Sequence, residues 1–388
     1  MKLNKNFVCP FCHFGCESSK LKYVFEKKTN ICEKLKTNID NLTDNIQPMI
    51  KGKNVNLNEA IKEIKKLVYL NNGIHIDGLS CDLESMNRLF DFAELKNASI
   101  DHMYGENIAN FFSCFQRNGA SLSSYGEVKN RADLIIFVGL REELKNSKLV
   151  SLIRNSKEKK KIYFIDSTFK DKKKKLNCHE ESSIYKKINM LSNFFEENNK
   201  QNSYENFKKK NTLIISDIVK SKYGVIVFEA GTINKVLNQS ILNLVNILSR
   251  NYKFSILPLG GGSNSAGAIQ TSLWKTGFPL RVNFTDDGPI YNPEEYNSNS
   301  FKHSKELQFY ISCFDLKPKI NFFKKNIFIG NPNILNREKF DVYIPVSTPG
   351  IDSDGLIVRG DGACVIKLNK LKDSKYPSIK DIFLSLGN

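Results

Sequence analysis

The sequence predicts an α/β protein of several domains with mostly parallel sheets, and three observations carry that reading. Stretches of helical period alternate with short apolar runs along most of the chain. Runs such as Leu134-Ile-Ile-Phe-Val-Gly139 are apolar throughout, as strands buried on both faces are. A length of 388 residues is enough for two or three cores.

Taken in order, the first helix signal lies at residues 58–68. There Ala60, Ile61, Ile64 and Leu67 recur at helical spacing among charged residues. Residues 73–78 alternate as a strand, and a second helix runs from Leu83 to Leu95 through Met86, Leu89, Phe90 and Phe92. Another helix extends to Arg117. Residues 126–133 form a helical turn delivering the strand at 134–139. A helix at Ser147–Asn155 and a strand at 162–166 complete a βαβ unit. Residues 170–210 are rich in Lys, Glu, Asn and Ser, with one apolar helix near Ile184–Phe195. Strands are expected at 213–216, 224–228 and 254–257, with an amphipathic helix over Ile233–Leu248 between the last two. Within the polar stretch, Cys178-His179 has no further ligand at metal-binding spacing and reads as surface loop.

Composition narrows the class. No run of 18 apolar residues exists, which argues against a membrane span, and the first residues lack the apolar core of a secretory signal. Nine cysteines, an odd number with four clustered, point to a reducing compartment, the cytoplasm. The net charge of +17 is mostly lysine scattered among asparagines. Nucleic-acid tracks favour arginine with interleaved aromatics, so this pattern argues against that partner. It still suits a polyanionic ligand or an acidic partner subunit.

The most chemically specific stretch is the first. Cys9, Cys12, Cys16 and Cys32 stand in C-x2-C-x3-C-x15-C order. Three thiolates within eight residues can be aimed at one point by a tight loop, with the fourth closing the cage. Four cysteines serve both iron–sulfur clusters and structural zinc. This spacing is nearer a [4Fe–4S] site than a zinc ribbon, which uses two C-x2-C pairs. Buried thiols, or a motif that has lost its metal, are the plainer alternatives. A second signal is Leu259-Gly-Gly-Gly-Ser-Asn-Ser-Ala-Gly-Ala, which follows a strand and opens a helix bearing Trp274. Consecutive glycines allow close approach, and helix amino ends favour anions. A tight packing turn explains the glycines equally well, since neither phosphate-binding fingerprint is present. Residues 342–355 and the Arg359-Gly-Asp-Gly turn before a closing strand could line a cleft or lie as surface turns.

Together these blocks resemble the B subunit of formylmethanofuran dehydrogenase, of the molybdopterin oxidoreductase superfamily. The resemblance rests on Cys9-Pro-Phe-Cys12-His-Phe-Gly-Cys16, Asn30-Ile-Cys32, residues 126–133 and 260–268, Trp274-Lys-Thr-Gly-Phe-Pro and Tyr343-Ile-Pro-Val-Ser-Thr-Pro-Gly-Ile. It spans residues 9 to about 365 in constant order. It implies a molybdopterin-oxidoreductase-like fold with a cysteine-cluster domain at 1–54, an α/β domain in two segments at 55–105 and 286–388, and a Rossmann-like α/β domain at 106–285. It also implies Cys9, Cys12, Cys16 and Cys32 as cluster ligands, and Gly260, Gly261, Gly262 and Asn264 as a vestigial pterin loop.

The departures from the family matter as much. Its active members hold tungsten or molybdenum through a cysteine or selenocysteine at the position near Asn107. Its Asn-Pro becomes Leu140-Arg-Glu-Glu, and its Asp-Pro-Arg becomes Asp166-Ser-Thr168. The pattern, with Asp101-His102, Gly105-Glu106 and Pro258-Leu-Gly-Gly-Gly-Ser-Asn, looks closer to the bacterial formyltransferase/hydrolase branch. The resemblance then implies a non-redox subunit in which molybdopterin or tungstopterin is absent and a [4Fe–4S] cluster optional. Its partners would be amidohydrolase, formyltransferase and C subunits, with a polyglutamylated methanofuran-like carrier. The competing expectations are a working molybdenum or tungsten dehydrogenase, with Cys114 or Glu106 as metal ligand, and a zinc-ribbon module binding nucleic acid.

Overall fold

The computed structural model describes residues 7–12, 14–18, 33–40, 45–140, 153, 156, 159–166, 175–177, 181–196, 202–230, 233–260, 262–301 and 305–387. The chain begins with the short hairpin β1 (Phe7–Val8) and β2 (Glu17–Ser18), then α1 (Glu33–Asp40) and the hairpin β3 (Met49–Ile50) and β4 (Lys53–Asn54). Helix α2 (Leu57–Leu70) starts where Asn56 and Glu59 cap each other's backbone, and it buries Ala60, Ile64 and Leu67. Next come β5 (Ile74–Ser80), α3 (Leu83–Leu95), β6 (Ser99–Ile100), α4 (Gly105–Asn118), α5 (Tyr125–Asn130), β7 (Leu134–Val138), β8 (Lys161–Asp166) and β9 (Lys175–Asn177). Helices α6 (Glu181–Glu196) and α7 (Asn202–Lys220) precede β10 (Gly224–Phe228), α8 (Lys235–Ser249), β11 (Phe254–Pro258) and α9 (Ser265–Thr276). The remainder is β12 (Val282–Thr285), β13 (Gly288–Tyr291), α10 (Ser298–Phe301), β14 (Leu307–Ser312), β15 (Lys325–Gly330), β16 (Val342–Pro345), β17 (Gly355–Val358), β18 (Val365–Leu368) and α11 (Ile379–Gly387).

Two compact units result, residues 1–105 with 262–388, and residues 106–261. In the first, nine strands run in the order β13-β12-β6-β5-β14-β15-β16-β3-β4. The middle five, β6 to β16, are parallel, and antiparallel pairs close both edges. In the second, β11-β10-β7-β8-β9 form one wholly parallel sheet. Its core joins strand residues such as Ile136, Val138, Ile226 and Phe228 to Ile188, Leu191, Ile214, Ile218, Ile241 and Leu248 from the helices. Each fully buried aliphatic side chain there contributes about 1.5–3 kcal/mol.

The α/β class and the parallel sheets expected from sequence are present. One expectation changes. The stretch 213–216 is not a strand but lies within α7, where Ile214, Ile215 and Ile218 are buried while Leu213 and Val219 are exposed. That i, i+1, i+4 pattern is helical, and a four-residue apolar run cannot by itself separate strand from buried helix. The compact units divide at 105/106 and 261/262. Helix α9 packs on α3, and β12 pairs with β6, which binds residues 262–285 to the first unit. Of the helix expected at Ser147–Asn155 only Ile153 is described, and Cys178-His179 lies outside the described residues.

Candidate functional site

The cysteine loop is built by the β1–β2 hairpin. Phe7 faces Ser18 and Val8 faces Glu17, and the Cys9 amide donates to the Cys16 carbonyl at 3.0 Å. This pairing sets two of the sulfur-bearing residues across from each other. Cys9 is buried, while Cys12 and Cys16 are partly accessible. The Cys12 thiol is lowered to about 6, first by a hydrogen bond from the Cys16 side chain. Amides at Phe14 and Gly15 and the charge of Lys34 act in the same direction, against the cost of burial. A thiolate at neutral pH is what a soft metal centre requires.

Three other stretches prominent in the sequence close around this hairpin. A Cβ built on Gly262, whose φ is +95°, would stand 4.0 Å from both Cys12 Cα and Lys34 Nζ, so the glycine loop lies against the cysteine loop. Gly15 has φ +52°, and a Cβ there would come within 2.6 Å of Ile366 Cδ1 on β18. Only glycine combines that left-handed backbone with that closeness. Pro10 meets Gly350 of the turn that follows β16. The donor set therefore fits a thiolate-bound centre in kind. Among the described residues, however, no group of three or more His, Cys, Asp or Glu side chains stands ready to hold a metal ion. Cys32, the fourth expected ligand, lies outside the described residues.

The glycine loop is also divided. Gly260 falls in the second unit, Gly261 is outside the described residues, and Gly262 and Asn264 belong to the first. Ser263 and Asn264 both hold left-handed backbone, at φ 49° and 55°. Asn264 is fixed by its amide. Its Nδ2 donates to the Cys81 carbonyl at 2.9 Å, and its Oδ1 accepts from the Val358 amide at 3.0 Å. The side chain thus ties the end of β5, the start of α9 and β17 into one knot, and both its polar atoms are engaged by backbone.

A buried polar group supports this loop. His102 accepts the Tyr104 amide at Nδ1 (3.0 Å), so the neutral ring carries its proton on Nε2, facing the Ser263 carbonyl at 3.4 Å. Burial lowers His102 to about 4 and keeps it neutral. Its neighbour Asp101 accepts from Arg281 Nε at 3.2 Å, with both side chains buried. Burial raises Asp101 to about 7, although Arg281 pulls the other way. Leu280 and Arg281 are again left-handed, at φ 69° and 52°. Helix α9 is therefore bracketed by two strained pairs, each held by a buried polar contact. Nearby, His75 bridges Ser99 Oγ (2.8 Å) and Ser298 Oγ (3.0 Å), and Ser298 donates to Asp77. Asp101 and His102 belong to a stretch that carries the family resemblance, but Arg281 carries no local signal. Its partner is 180 positions away.

In the second unit, Asn107 is half-buried on α4. Cys114, two turns further, is buried in the core, and its Sγ donates to the Lys235 carbonyl at 3.4 Å. Glu106 is exposed.

Comparison with known proteins agrees with this architecture. No protein-family model matches the chain. In sequence it is similar to the B subunit of tungsten-containing formylmethanofuran dehydrogenase 2 from Methanocaldococcus jannaschii, at 23% identity over 96% of this chain and 94% of that one. The corresponding B subunit of Methanococcus maripaludis is 24% identical over 77% of this chain and 76% of that one. In fold it resembles a chain of the formyltransferase/hydrolase complex of Methylorubrum extorquens, solved with methylofuran. The TM-score is 0.75 at 17% identity, covering 87% of this chain and 97% of that one. Acetylene hydratase of Pelobacter acetylenicus shares the fold at a TM-score of 0.62 and 11% identity, over 99% of this chain and 69% of that one. The resemblance to the B subunit of formylmethanofuran dehydrogenase thus extends along nearly the whole chain.

Proposed function

We propose that this chain, similar along its length to the B subunit of formylmethanofuran dehydrogenase, is the non-redox B-type member of a formyltransferase/hydrolase assembly. In this reading partner subunits move a formyl group from tetrahydromethanopterin to a methanofuran-like carrier and release it as formate. This chain gives the assembly its framework. The observation that carries the reading is at α4. By the sequence resemblance, the sulfur or selenium ligand of the dehydrogenases falls near Asn107, and the nearest cysteine in sequence, Cys114, is engaged in the core by the Lys235 carbonyl. An amide nitrogen and oxygen cannot replace a thiolate on a high-valent metal.

The engagement of Asn264 by Cys81 and Val358 supports a glycine loop that serves the protein's own packing rather than a pterin. Cys9, Cys12 and Cys16, with Cys32, would hold a [4Fe–4S] cluster that fastens the amino-terminal segment. When bound, such a cluster would supply one-electron chemistry, for which this reading has no use. The opposite reading, a tungsten- or molybdenum-dependent dehydrogenase, is favoured by the nearness of Cys12 to Gly262, since an electron path would run between them. The two separate cleanly in an assay of the assembly purified through this chain. Formate release from the formylated carrier without any electron acceptor, and without dye reduction, is expected. Formate formation or consumption that depends on an acceptor would overturn the proposal.

A further inference from the structure

The net charge is unevenly shared. Residues 106–261 hold 27 Lys and Arg against 15 Asp and Glu, a net of +12. The other unit holds 31 against 26, a net of +5 over a longer stretch. A lysine-biased composition acts on both units alike, so bias alone does not produce this difference.

Within the second unit the topology gathers the cations at the amino edge of the parallel sheet. Phe254, Gly224, Leu134 and Lys161 are in register across β11, β10, β7 and β8. The residues before them, Lys253, Tyr223, Asp133 and Lys160, therefore form one row about 14 Å long, at about 4.8 Å per strand. Lys129 and Arg131 at the end of α5, Lys159, and Lys220 and Lys222 after α7 join the same edge, and Val219 is exposed beside them. Lys161 is neutralised by Asp217, and Arg250 meets Glu196 at 3.9 Å. Asp133 accepts the amides of Lys222 and Tyr223, at 2.9 Å each. Lys129, Arg131, Lys159, Lys220 and Lys222 have no carboxylate within ion-pair distance among the described residues.

Helix carboxyl ends favour cations, which accounts for lysines at such an edge but not for the want of counter-charges. The first unit provides the comparison. At the same edge of its own parallel strands, Lys324 pairs with Glu306 at 3.0 Å and Lys325 with Asp341 at 3.1 Å. The lysines that open β15 are thus paired, while five cations at the second unit's edge are not.

We propose that the amino edge of the five-stranded sheet docks against an acidic protein surface on a neighbouring subunit. The inference rests on the reading above, that the chain works inside a multi-subunit assembly, and adds where one contact lies. A protein is favoured over nucleic acid because 22 of the unit's 27 cations are lysine, which lacks the planar fork that grips phosphate. Among the described residues of this edge, Tyr223 is buried under Lys253, Tyr252 packs edge to face on Phe195, and the exposed apolar group is Val219, which offers no stacking face for a base.

The test is made on the assembly purified through this chain, comparing K129E/R131E/K220E/K222E with K51E/K53E/K62E/K65E. The second variant makes the same charge change at exposed lysines of the first unit. All eight side chains are exposed, so both variants fold, which their melting curves verify. Association is read by size-exclusion between about 50 and 500 mM salt. The edge variant is expected to lose about tenfold or more in association, most at low salt, while the control behaves as wild type. Equal assembly of the edge variant and wild type, or equal loss in both variants, overturns the inference while the assembly reading stands. Edge-dependent binding of a duplex DNA or RNA probe with assembly unchanged overturns it in favour of nucleic acid. A wild-type chain that joins no other subunit at the lowest salt removes the assembly reading, and this inference with it.

Discussion

Asn264 does more for the first unit than its place in a glycine-rich loop suggests. Replacing it with alanine removes two buried hydrogen bonds, strands the Cys81 carbonyl and the Val358 amide, and keeps the left-handed backbone. A loss of about 2–4 kcal/mol in denaturant unfolding is expected. Cys114→Ala shortens a buried side chain and removes one weak sulfur contact. It should cost about 1 kcal/mol and leave formate release by the assembly unchanged. Loss of activity at full assembly would restore Cys114 as a metal ligand. Asp101 gives a pH signature. Its folded-state value, about 7, lies above the ordinary carboxylate value of 3.8, so the folded chain binds the extra proton between those limits. Its contribution to stability is therefore full below about 4 and declines as pH rises towards 7. Relative to Asp101→Asn, the wild type should lose about 2–4 kcal/mol across that window in chemical denaturation. A difference that does not vary with pH would show that Asp101 stays ionised throughout.

At the scale of elements, legibility follows the strength of the local pattern. Helix α3 is readable because Met86, Leu89, Phe90 and Ala93 form one buried stripe, and β7 because its short apolar run is β-branched at Ile135, Ile136 and Val138 and ends at Gly139. Helix α7 is not, since its amino-terminal half is polar and its backbone departs from helix at Asn211. The apolar end at 213–216 then looks like an isolated strand. The helical assignment has a sharp consequence. Ile214→Ala should cost about 2–4 kcal/mol and Leu213→Ala almost nothing, whereas a strand over 213–216 buried on both faces would be sensitive at both positions. The site divides in the same way. Cys9, Cys12 and Cys16 announce themselves by spacing, and the glycines by composition. Their meeting at Gly262 and Cys12 joins positions 250 residues apart, and no local pattern encodes that. Arg281 is hidden for the same reason, because a lone arginine declares its role only once Asp101 is beside it.

For the whole molecule, the fold is shared with a chain of a formyltransferase/hydrolase complex and with acetylene hydratase. No helix of the described residues is long and apolar enough to cross a membrane. The amino-terminal hairpin packs on β18 and on the turn after β16. Cys12→Ser is therefore expected to loosen that hairpin, seen as faster amide exchange over residues 7–18, without altering formate release. In the proposed function the framework persists without the tungsten or molybdenum chemistry of its relatives. The content of iron, tungsten and molybdenum per chain, in the assembly purified without oxygen, decides this point. About four iron per chain, with tungsten and molybdenum at trace level, is the predicted result. Tungsten or molybdenum in stoichiometric amount would contradict it and make this chain an oxidoreductase.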